Sequence, residues 1–78
     1  MSLMFELYYR GPEDPARESR LIADVAAAGG RLDFREPAGV EGGSICLTFE
    51  FESRTQAESA AATLRGRGEY VEGVYDYS

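Results

Sequence analysis

The chain has no histidine, lysine, tryptophan or asparagine, and a single cysteine. Without histidine there is no side chain that ordinarily titrates near neutrality and no imidazole to hold a metal. Without lysine there is no Schiff-base amine and no phosphate-loop ammonium. Cys46 stands alone, so an intrachain disulfide and a cysteine metal cluster are both excluded, and a reducing, cytoplasmic setting is expected. No apolar run approaches the roughly 20 residues that span a bilayer, and the N-terminus lacks the basic-then-apolar layout of an export signal. The reading is of a non-enzymatic protein with no cofactor, no metal and no membrane partner.

What is present is arginine and acid. All eight basic residues are arginine, scattered among 14 acidic ones, for a net charge of −6. Nucleic-acid binding draws most of its affinity from clustered basic residues, so it is not expected here. At 78 residues the chain makes one domain with little core to spare. A second subunit or a protein partner that covers more apolar surface is a natural source of stability. Met1-Ser2-Leu3 precedes a second methionine and is expected to be an expression remnant, leaving 4–78 as the domain.

Alternation of apolar and polar residues is clearest in Ile45-Cys46-Leu47-Thr48-Phe49-Glu50-Phe51-Glu52, a half-buried strand. Ser53 and Gln56 follow as a capping pair, and Ala57, Ala60, Ala61 and Leu64 then recur at helical spacing until Gly66-Arg67-Gly68. Earlier, Met4 to Arg10 alternates with Phe5, Leu7 and Tyr9 on one side and Met4, Glu6, Tyr8 and Arg10 on the other. Asp14 suits a helix N-cap and Pro15 its first turn. Leu21, Ile22, Val25 and Ala28 form that helix's buried stripe, with Arg17, Glu18, Arg20 and Asp24 mainly elsewhere, and Gly29-Gly30 stops it. Arg31 to Glu36 reads as a charged edge strand with Leu32 and Phe34 inward and Arg31, Asp33 and Arg35 outward. A glycine-rich loop, Pro37 to Ser44, follows. In Glu69 to Ser78 neither parity is cleanly apolar; a bulge near Gly73 turns Val71 and Val74 inward and Tyr75 and Tyr77 outward.

The order strand, helix, strand, strand, helix, strand predicts an α+β domain. It is a β-α-β-β-α-β four-stranded antiparallel sheet with two helices on one face and the first and third strands central. In this the chain resembles the ferredoxin-like superfamily. Through element order, the Gly11-Pro12-Glu13-Asp14-Pro15 turn and the Phe49-Glu50-Phe51 strand before an alanine-rich helix, it is also similar to ACT-type ligand-binding domains. That resemblance implies a small-metabolite sensor whose ligand contacts the turn before the first helix.

Such a fold leaves one sheet face free of helices. Glu6, Tyr8, Arg10, Cys46, Thr48 and Glu50 are expected there, flanked by Arg31, Asp33 and Arg35, with Tyr75 or Tyr77 joining from the far edge. Tyrosines pair apolar area with a hydroxyl and favour interfaces, so the expected function is dimerisation or protein binding through this face. The alternatives are the metabolite sensor, an ordinary solvated face, and a small dimeric enzyme with a cleft between sheet and helices. Glu6 and Glu50 are expected side by side on neighbouring strands, neutralised by nearby arginines. Cys46 is expected to be a passive thiol, because its visible neighbours are acidic and would raise its pKa.

Overall fold

The structure is a computed structural model and describes residues 2–39 and 42–76. Six elements follow in the expected order: β1 (Leu3–Arg10), α1 (Pro15–Ala27), β2 (Arg31–Glu36), β3 (Ser44–Phe51), α2 (Arg54–Gly66) and β4 (Tyr70–Asp76). The strands form one sheet in the order β2-β3-β1-β4, and every neighbouring pair is antiparallel. This is the ferredoxin-like arrangement, with β1 and β3 central.

Strict alternation along β1 and β3 decides which side each residue faces. Leu3, Phe5, Leu7 and Tyr9 of β1 and Ile45, Leu47, Phe49 and Phe51 of β3 are buried together under the helices. The Phe5 ring lies 5.7 Å from that of Phe49 and 5.5 Å from that of Phe51, so three rings make the centre of the core. Burying each contributes about 2–3 kcal/mol. Leu3 pairs with Phe51 and Asp76 and is fully buried, so β1 begins one residue ahead of the expected Met4.

Both helices start where capping chemistry places them. The Asp14 side chain accepts from the Arg17 amide at 3.0 Å with Pro15 next, and Ser53 accepts from the Gln56 amide at 3.2 Å. Helix α1 buries Leu21 and Val25, and α2 buries Ala57, Ala60, Ala61 and Leu64, whose small side chains let it lie close to the sheet. Just past α1, the Gly30 backbone approaches the Phe51 ring so closely that a Cβ there would meet it at 2.4 Å. Among the described residues no helix is long and apolar enough to cross a membrane.

Two strands depart from simple alternation. In β4 the pairing steps from Met4↔Tyr75 to Phe5↔Gly73, a bulge that places Val71 and Val74 against the core and Tyr75 on the opposite side. Gly73 makes it possible with φ of +116°, while a Cβ would come within 3.1 Å of the β1 backbone. In β2 a second bulge corrects the expectation. Leu32 pairs with Phe49 and Phe34 with Thr48, leaving Asp33 as the extra residue. Phe34 therefore faces away from the core, 60% exposed, and Arg35 turns toward the helices.

Arg35 turns that way toward an anion. Glu18 of α1, expected among the solvated positions, is buried at 7% exposure and accepts from Arg35 Nε at 2.6 Å and from the Tyr9 hydroxyl. Arg35 also reaches Glu13 at 2.6 Å, the Asp14 amide donates to the Tyr9 hydroxyl at 3.0 Å, and the Arg17 guanidinium lies 5.0 Å from the Tyr9 ring centroid. The network ties β1, α1 and β2 together. Arg35 beside it holds the Glu18 carboxyl below its ordinary pKa, while burial and Glu18 push the Tyr9 phenol up.

Candidate functional site

The sheet face without helices gathers the side chains of opposite parity. From β1 come Met4, Glu6, Tyr8 and Arg10, and from β3 Cys46, Thr48 and Glu50. Arg31, Phe34 and Glu36 add from β2, and Tyr70, Glu72 and Tyr75 from β4. Among the described residues, Phe34, Tyr70 and Tyr75 are the large exposed hydrophobic ones, at 60%, 62% and 41%. All three lie on this face.

Its centre is a tyrosine pair beside a carboxylate pair. Tyr8 opposes Tyr70 across β1 and β4, their rings packing edge to face with centroids 6.0 Å apart. Two residues along, Glu6 opposes Glu72 directly. Tyr70 donates its hydroxyl to Glu72 at 3.1 Å, and the Cys46 sulfur lies 4.0 Å from Glu6 Oε2 and from Thr48 Oγ1. Neither Glu6 nor Glu72 meets an arginine among the described residues. Glu50 is different, since it accepts from Ser2 and from Arg31 and is nearly buried. The expected juxtaposition of Glu6 with Glu50 is thus corrected. The register sets Glu50 opposite Met4 and Glu6 opposite Thr48 and Glu72.

Burial, with Cys46, Glu6 and Glu72 nearby, pushes the Tyr8 phenol well above its ordinary range, and Glu72 raises Tyr70. Burial likewise raises the Cys46 thiol, although hydrogen bonds with Thr48 and Tyr8 pull the other way. The Ser2 hydroxyl, and Arg31 after it, hold the Glu50 carboxyl low. Near pH 7 the phenols and thiol therefore stay neutral. Among the described residues no group of three or more His, Cys, Asp or Glu side chains is placed to hold a metal ion.

Of the residues expected on the face, Glu6, Tyr8, Arg10, Cys46, Thr48, Glu50 and Tyr75 have the matching parity. Tyr77 lies outside the described residues. Cys46 is buried even within one copy. Arg35 is not on the face at all, and Phe34, Tyr70 and Glu72 are there without having been singled out. Tyr70 and Glu72 share the parity opposite Val71, so the Gly73 bulge already implied them. No sequence signal placed the bulge at Asp33.

Hollows also lie away from this face. One of about 450 Å³ sits at the end of β1 between the Gly11–Glu13 turn and Gly39, Gly42 and Gly43 of the β2–β3 loop, with Arg10 at its wall. Another, about 500 Å³, is lined by Asp14, Arg17, Arg20 and Glu69, and one of about 100 Å³ between α1 and α2 is bounded by the Asp24–Arg67 ion pair at 2.8 Å. No protein-family model, no curated protein and no solved structure matches the chain.

Proposed function

We propose that this chain is a non-catalytic contact module that docks a polypeptide, another copy of itself or a different protein, on its open sheet face. The observation that carries this reading is the gathering of Phe34, Tyr70 and Tyr75 on the one sheet face that no helix covers. Exposed aromatic rings of this kind are enriched where proteins meet. A small core is a further reason to cover them.

Sedimentation velocity from low to high micromolar concentration tests the self-pairing form. Self-pairing through the face gives a monomer–dimer equilibrium that Phe34→Ser with Tyr70→Ser abolishes while the circular dichroism spectrum is kept. A dimer untouched by that double variant would place the contact elsewhere. A strict monomer leaves only a different protein as the occupant. Thiol protection is not a usable readout, because Cys46 is already shielded within one copy.

A second reading, an ACT-like small-metabolite sensor, draws on the hollow at the Gly11–Glu13 turn, whose volume of about 450 Å³ falls in the range of small-ligand sites. Thermal-shift screening against amino acids and nucleotides tests it, since a ligand that binds only the folded state raises stability. No shift at millimolar ligand would dispose of it.

A further inference from the structure

The open face carries the carboxylates Glu6, Glu36, Glu50 and Glu72 against the guanidinium groups of Arg10 and Arg31. The two arginines do not serve its centre. Arg31 is spent on Glu50, and Arg10 sits at the far end of β1 beside the loop hollow. That leaves Glu6 and Glu72 directly opposed on neighbouring strands, an arrangement that is unfavourable until a cation lies between them. The Tyr8 and Tyr70 rings stand next to that pair. Carboxylate oxygens beside aromatic rings are the surroundings in which a guanidinium or ammonium group gains charge-assisted hydrogen bonds and a cation–π contact together.

We infer that the occupant of the open sheet face is a basic segment of a different protein, presenting an arginine or lysine to Glu6 and Glu72 and apolar side chains to Phe34, Tyr70 and Tyr75. The inference rests on the reading of this face as a contact surface. A second copy is the poorer occupant, because face-to-face pairing sets one acidic surface against another. Nucleic acid is opposed by the same charge. The size fits a single segment: three inter-strand spacings give roughly 14 Å between the outer strand axes, and a helix with side chains is about 10–12 Å wide. Docking is on the face and not along the β4 edge. Arg65 of α2 already donates to the Val71 and Gly73 carbonyls at 3.1 and 2.7 Å, so those edge groups are unavailable to an added strand.

Isothermal titration calorimetry with a hexa-arginine peptide tests the inference, with hexa-glutamate as the control. The wild-type protein should bind hexa-arginine and not hexa-glutamate. Glu6→Gln with Glu72→Gln should weaken binding by about tenfold or more, and Asp24→Asn with Glu58→Gln, which removes the same charge from exposed positions on the two helices, should change it by less than about twofold. Equal weakening by both double variants would reduce the effect to net charge and overturn the inference. Circular dichroism of the Glu6 and Glu72 variant should show the native fold, since the substitution relieves a like-charge pair. If the peptide does not bind and the protein self-associates through Phe34 and Tyr70, the basic occupant is wrong while the contact surface stands. If neither happens, both fall.

Discussion

Replacing Glu18 by glutamine should destabilise the domain by about 2 kcal/mol. The carboxylate is 7% exposed and accepts from Arg35 Nε at 2.6 Å, from a second Arg35 nitrogen at 3.0 Å and from Tyr9. Breaking a fully buried ion pair typically costs about 3–5 kcal/mol. The Arg35 side chain is 31% exposed and keeps Glu13, and a glutamine oxygen still accepts one bond, so water and the remaining partners absorb part of that loss. For a domain of this size, with total stability of about 4–12 kcal/mol, the change lowers Tm by roughly 8–16 °C. The folded-state pKa of Glu18 is lowered, so its contribution is fully present above the unfolded value of about 4.3 and is lost as pH falls through the folded value. Urea unfolding followed by circular dichroism should therefore show the wild type ahead at pH 7, with the gap closing below about pH 4. A gap under about 0.5 kcal/mol at pH 7, or one undiminished at the lowest pH where both proteins remain folded, would refute the charge-assisted origin of the network.

Gly73→Ala forces a side chain into φ of +116° with a Cβ 3.0 Å from the Met4 carbonyl oxygen, and should cost about 2–3 kcal/mol in chemical denaturation. Arg65→Met uncovers the Val71 and Gly73 carbonyls at the β4 edge; stability should drop by only about 1 kcal/mol, while light scattering at high concentration rises with time. Deleting Asp33 removes the extra residue of the β2 bulge and keeps Leu32 opposite Phe49 and Phe34 opposite Thr48, so the loss should stay below about 1.5 kcal/mol. A larger loss would mean that the bulge itself stores an essential contact.

Much of the fold was legible because β1 and β3 alternate without interruption and both faces of the sheet follow from their parity. The helix starts were legible for a local reason as well, since Asp14 and Ser53 bond to amides three residues on. In β4, Val71 and Val74 could both reach the core only with an irregularity at the glycine between them, and the bulge stands there. β2 offered no such clue. Its parity changes at Asp33, a residue with no conformational signature, and it is an edge strand paired on one side only, so register is weakly constrained by local pattern. The turning of Arg35 inward coincides with a buried Glu18, 17 residues away, which by helical spacing alone looked solvated. For the same reason the opposition of Glu6 to Glu72 was hidden, because it depends on the pairing register and not on either strand's own pattern.

The most direct test of the open face as the contact surface is a map of backbone amide shifts in labelled protein titrated with hexa-arginine and, separately, concentrated toward millimolar. Movement should be confined to β1, β3, β4 and the Phe34 region of β2, with Glu6, Tyr8, Tyr70 and Glu72 at its centre. The outward turns of α1 and α2 should stay still. Shifts centred on the helices, or none in either titration, would contradict the assignment of this face.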